Sequence, residues 1–213
     1  MKKLTFLFLS VAFALAVNAQ SDKYKAAMKD QIGKLETAFQ NNDFPQLANS
    51  FERIGDAEKT QWLPYYYAAY ANVMSAYLSP DKSKVDAIAD KADAMITKAE
   101  TLNGKPNSEI FVVKSMVASA RMQVDPQNRW MQYGKISGEN IEKAKVADPT
   151  NPRPVYLEGQ AKFYTPEQFG GGKSVAKPYF EKALSMFDTF KPAGDLEPAW
   201  GKASTQYFLD QCK

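Results

Sequence analysis

Three short segments repeat one pattern: Ala92-Asp-Ala-Met-Ile96-Thr-Lys-Ala99, Ser137-Gly-Glu-Asn-Ile141-Glu-Lys-Ala144 and Ala176-Lys-Pro-Tyr-Phe180-Glu-Lys-Ala183. Each carries a small residue, a large apolar residue four positions later, and a Lys-Ala pair ending three positions after that. On a helix these positions form one stripe, with small residues at both ends where neighbouring backbones must come close. A helix built this way is designed to nest between two others. The pattern therefore demands a stack of helices, and no alternating strand pattern competes with it anywhere after residue 20.

Proline, glycine and capping residues cut the chain into helix-length pieces. The periodicity predicts helices at 22–41, 44–57, 63–78, 82–103, 108–124, 130–147, 153–164, 173–190 and 197–211. Ser79-Pro80-Asp81, Asn107-Ser108, Asp125-Pro126 and Glu197-Pro198 place caps or first-turn prolines at helix starts. Asp148-Pro149 and Asn151-Pro152 close one helix and open the next. Short connections predict antiparallel hairpins over 22–57, 63–103, 108–147 and 153–190, closed by a capping helix over 197–211.

The second-helix stripe, with the ending Glu142-Lys-Ala-Lys-Val-Ala-Asp-Pro149 and the later Phe180-Glu-Lys-Ala-Leu184, resembles the tetratricopeptide repeat (TPR). Gly159, in Val155-Tyr-Leu-Glu-Gly159-Gln-Ala-Lys-Phe163, matches that family's small position in the first helix. The spacing departs from it: Ala99 to Ala144 is 45 residues and Ala144 to Ala183 is 39, against roughly 34 in regular repeats. The resemblance implies an all-α, right-handed helical-hairpin solenoid of about nine helices, forming a single domain over 20–213. It also implies a concave groove lined by first helices, on which the matching residue types are Asn72, Lys114 and Arg121.

The N-terminus reads as a signal peptide over 1–19. Lys2 and Lys3 precede an uncharged, mostly apolar run, and Val17-Asn18-Ala19 supplies the small-residue cleavage point. The run is too short for a comfortable membrane span. This predicts a periplasmic or secreted protein. Without Lys2 and Lys3 the 27 basic residues fall to 25 against 24 acidic ones, a net charge of +1. Such a chain has no footprint for nucleic acid or anionic membrane. The single cysteine, Cys212, has no partner within the chain, so packing must supply the stability.

Residues with chemistry to offer are few. The chain has no histidine, which removes the commonest general base and the commonest transition-metal ligand. Ser79-Pro80-Asp81-Lys82 matches Ser-x-x-Lys but sits on a proline-bearing helix start. Asp86, Asp90 and Asp93 read as a solvated helix face rather than an acid–base pair or a calcium loop. The stretch QFGGGKSVAKPYFEKAL (168–184) suggests a phosphate loop. A P-loop, however, needs glycine at position 167, where glutamate stands, and a preceding strand, where a helix is predicted. It reads as a turn, with Gly172, Lys173 or Ser174 opening the next helix and Ser174 the better capping type. No catalysis, cofactor or metal is expected.

Binding is expected instead. Trp62 to Tyr77 is unusually aromatic, with Trp62, Tyr66, Tyr70, Val73 and Tyr77 on one stripe. Five tyrosines in one helix each need a hydroxyl partner when buried, which favours some of them lining a groove. The sequence reading is a non-catalytic scaffold with a protein or peptide partner in the cell envelope, bound by Tyr66, Tyr70, Asn72, Lys114 and Arg121. The alternative is a periplasmic small-molecule or transporter-accessory binder, with a pocket between Tyr66, Tyr70 and the Gly170–Gly172 turn.

Overall fold

The computed structural model describes residues 22–213, and the expected signal peptide lies outside them. The described residues are all-α. In chain order they form α1 (22–33), α2 (Ala38–Asn41), α3 (Phe44–Glu58), α4 (Leu63–Leu78), α5 (Val85–Asn103), α6 (Ser108–Met122), α7 (Pro126–Arg129), α8 (Lys135–Ala147), α9 (Pro152–Tyr164), α10 (Lys173–Thr189) and α11 (Lys202–Gln211). Successive long helices pack on one another from α3 to α11. The alternate helices α4, α6 and α9 also touch, in that order. One apolar core runs from Tyr24 to Phe208.

Helix starts follow the capping chemistry. Asn107 accepts from the backbone of Glu109 and Ile110, and Asn151 accepts from Arg153 N–H at 3.0 Å. Pro64, Pro126 and Pro152 stand in first turns, where a missing N–H costs nothing. The predicted boundaries of α4 are those observed. Four departures have local causes. The predicted 22–41 helix breaks after residue 33 into a turn, and Asn42 ends α2 in the left-handed region at φ 57°. Residues 82–84 form a 3₁₀ turn capped by Asp81. Trp130–Gly134 widens into a π-turn ahead of α8. The predicted last helix starts five residues late, because Pro198 and Gly201 (φ 115°) hold 190–201 irregular.

The repeated small positions are the tight ones. Ala92, Ala99, Ala144, Ala176 and Ala183 are fully buried, and Ser137 nearly so. At Gly159 a Cβ would stand 2.6 Å from the Phe180 ring, so glycine alone lets α9 and α10 approach this closely. The triple glycine is a turn. Gly170 and Gly172 take φ 78° and 101°, and of the three residues expected to open α10 it is Gly172 that does so. Cys212 is a free, half-buried thiol.

Ala144→Leu should lower stability by about 1–3 kcal/mol, because a larger side chain forces the α8 contact apart. Val146→Leu, on the same helix but 83% exposed, should change it by less than about 0.5 kcal/mol. Lys145 is no neutral control, since it is half buried and pairs with Glu142 and Glu158 at 2.7 and 2.8 Å. Equal urea midpoints for the two variants would overturn the packing account.

Candidate functional site

Helices α4 and α9 of the row α4–α6–α9 carry seven of the chain's eleven tyrosines. Helix α4 is buried on nearly every side from Leu63 to Ala71, and its tyrosines find partners rather than solvent. Tyr65 donates to Asp56 at 2.8 Å, Tyr66 to Glu109 at 2.9 Å, Tyr67 to the Leu196 carbonyl at 2.9 Å and Tyr77 to the Met116 carbonyl at 2.9 Å. The sequence argument that five such tyrosines cannot all be buried holds in part: Tyr65, Tyr66, Tyr67 and Tyr70 are buried, and Tyr77 stays partly exposed.

Beneath Tyr66 lies a buried ion pair that the sequence reading missed. Arg153 is fully buried, and its guanidinium donates to Glu109 at 3.0 Å, to Asn151 at 3.3 Å and to the Pro198 carbonyl at 2.7 Å. The Asn151 amide donates to Glu109 at 2.7 Å and Ser108 at 2.9 Å. The guanidinium carbon also lies 5.0–5.8 Å from the rings of Trp200, Phe190 and Phe187. Glu109 is in the first turn of α6, where a carboxylate is favoured by the helix dipole. The faint signal was Asn151-Pro-Arg-Pro, a charge locked between two prolines at a helix start.

Residues 190–201 cross this face. Trp200 donates its indole N–H to the Tyr66 hydroxyl at 2.9 Å and stacks on Tyr70 with ring centres 4.7 Å apart. Tyr66 and Tyr70, expected to line an open groove, are thus both covered. Asn72 bonds back to the Ala68 carbonyl of its own helix. Lys114 and Arg121 turn toward α5: Lys114 pairs with Glu100, and Arg121 with Asp90 at 2.7 Å and Asp93 at 3.7 Å. Of the five residues expected to share a groove, Tyr66 and Tyr70 face Trp200, Asn72 its own helix, and Lys114 and Arg121 face α5. Asp86 of the acidic α5 face likewise holds Arg129, at 2.8 Å. The Gly170–Gly172 turn packs on Thr165 and Glu167, while Tyr66 and Tyr70 pack under Trp200.

What does converge is a different set. Burial raises the Tyr156 hydroxyl far above its ordinary value, and the neighbouring Tyr70, Tyr77 and Tyr164 add to this while Ser204 opposes it. Burial likewise raises Tyr77, with Ser119 opposing and Tyr164 and Tyr70 adding. Tyr164 is raised by burial and then by Tyr207. Tyrosines of α4, α9 and α11 therefore stand within electrostatic reach of one another. Their rings continue into an aromatic cluster around Phe208, which has Phe163 at 5.3 Å, Phe180 at 5.5 Å, Tyr164 at 5.9 Å and Tyr156 at 6.1 Å. Tyr164 and Tyr207 remain 66% and 61% exposed. Broad ring faces with polar tips, half buried and half open, suit a flat and largely apolar ligand.

Fold and site together define an all-α protein with an aromatic cluster around Phe208 that is open at Tyr164 and Tyr207. No family model matches the chain, and no curated protein sequence does. Among solved structures it is similar to the HusA haemophore from Porphyromonas gingivalis, with 36% identity, a TM-score of 0.79, and coverage of 89% of this chain and 92% of that one. At that identity and coverage the chain belongs to the same family as HusA. This overturns the reading as a protein-interaction scaffold with a protein or peptide partner. The relative is a haemophore, and the small-molecule alternative fits it better. Among the described residues no helix is long and apolar enough to cross a membrane.

Proposed function

We propose that this protein is a non-catalytic, exported binder of haem or a related porphyrin. The observation that carries the reading is the packing of Tyr156, Tyr164 and Tyr207 around Phe208, with Tyr164 and Tyr207 left exposed, in a chain of the HusA haemophore's family. A porphyrin is a broad aromatic disc, and aromatic side chains with hydroxyl tips offer stacking faces and hydrogen bonds to its polar edge. The chain has no histidine, so no imidazole can ligate iron, and the ring faces must carry most of the recognition. The TPR-like solenoid reading belongs here too: the contacts of α4 with α6, and of α6 with α9, support a row of first helices presenting one face.

Haemin titrated into the protein should shift and sharpen its Soret band with saturation. Tyr164→Ala combined with Tyr207→Ala should weaken binding roughly tenfold to a hundredfold, the loss of two stacking faces at about 1–3 kcal/mol in total. Trp130→Ala, exposed on the π-turn, should leave it unchanged. A wild type that leaves the haemin spectrum unaltered would refute the haem reading.

A further inference from the structure

Tyr70 is covered by an indole of the chain itself, whereas Tyr156, Tyr164 and Tyr207 pack on Phe208. Trp200 lies on it at 4.7 Å and 31°. Trp200 comes from the irregular segment 190–201, not from a helix. The segment is held at discrete points: Asp195 to Lys29 at 2.7 Å, the Leu196 carbonyl to Tyr67, the Pro198 carbonyl to Arg153, and Trp200 to Tyr66. Beside α1 it leaves an open hollow lined by Lys25, Lys29, Leu63, Asp195, Leu196 and Glu197. A face that would otherwise extend the proposed ligand surface along α4 is thus filled by a flat indole.

We propose that residues 190–201 form a displaceable plug of the ligand face, in which Trp200 holds Tyr70 until a flat aromatic ligand takes its place. We further propose that Glu197, half buried on the wall of that hollow, sets how readily the plug leaves. This rests on the porphyrin reading for its ligand but not for its mobility.

The electrostatics give the plug a pH dependence with a definite sign. Glu197 is raised above its ordinary value of 4.5, first by burial and then by the charge of Glu109. The groups around it are mixed. Tyr24 and Tyr67 both feel its charge, Lys25, Lys29 and Asp195 share the hollow with it, and Glu58 reaches Tyr24. Arg153 is engaged by Glu109 and Asn151. A group held protonated more strongly in the closed state favours closure at acid pH, and that preference is lost as pH rises through its raised value. The plug should therefore be tightest in acid and loosest at neutral pH. Glu197→Gln, which cannot ionise, should keep it tight throughout.

Hydrogen exchange on ligand-free protein tests the mobility. After correction for intrinsic rates, amides of 190–201 should exchange several-fold faster at neutral pH than near pH 4.5, relative to those of α5. Glu197→Gln should slow them at neutral pH to the acid level. Equal exchange in wild type and variant, or none of this pH dependence, overturns the gating role of Glu197. Haemin titration of Trp200→Leu, which keeps apolar cover but removes the flat ring, tests the competition. Tighter binding supports a plug, whereas unchanged or weaker binding overturns it. Should haemin bind neither protein, the porphyrin reading and the competition fail together, while the exchange result stands independently.

Discussion

Arg153→Met should destabilise the protein by about 3–5 kcal/mol, the penalty for leaving a buried charge without its partner. Methionine fills similar volume, so the loss is electrostatic rather than a cavity. Glu109 would remain in the interior with only the Tyr66 hydroxyl and the Asn151 amide to solvate it. The Pro198 carbonyl would lose its donor at the same time, loosening 190–201. The diagnostic is the double variant. Glu109→Gln keeps an acceptor for Tyr66 while removing the charge, so Arg153→Met with Glu109→Gln should be more stable than Arg153→Met alone. Urea denaturation of the three variants measures this. A single-variant loss below about 1 kcal/mol would mean that the ion pair contributes no more than a surface one.

That network shows where reading the sequence stops. Periodicity located the helices because it reports which face of each helix is apolar, and α4, α9 and α10 were legible to within a residue at either end. The small positions Ala144, Ala183 and Gly159 were legible because close packing tolerates little else there. The site was not. Arg153 and Glu109 lie 44 residues apart, and nothing local to either distinguishes a buried guanidinium from a solvated one. Lys114 and Arg121 were assigned to a groove by residue type, but their orientation is fixed by the acids of α5, which no first-helix pattern contains. Trp200 was placed inside a predicted helix. Its role depends on Pro198 and Gly201 breaking that helix and turning the indole onto Tyr70. The convergent tyrosines were visible only in part, as an excess on α4. Tyr156, Tyr164 and Tyr207 join them through the packing of α9 and α11, a tertiary fact.

Gly159→Val is the second large effect, and it tests whether the α9–α10 contact sets the geometry beneath the aromatic cluster. A Cβ at 159 would stand 2.6 and 2.8 Å from two atoms of the Phe180 ring. Phe180 cannot simply swing aside, since it is fully buried and stacks on Phe208 at 5.5 Å. Either the ring leaves its rotamer or α9 lifts away from α10. Overpacking of this kind costs about 1–3 kcal/mol and occasionally more, and a branched side chain against an immobile ring belongs at the upper end. The helix-propensity gain of replacing glycine offsets this by under about 1 kcal/mol. Phe180→Leu relieves the clash, so the double variant should be more stable than the two single losses added together, by about 0.5–3 kcal/mol of coupling. The aromatic face supplies a second readout. If α9 lifts, Tyr156 and Tyr164 move with it, and Gly159→Val should weaken haemin binding even at temperatures where the protein is fully folded. Strict additivity of the two substitutions would show that the close approach at Gly159 is not what seats Phe180, and that the cluster around Phe208 is held by α11 instead.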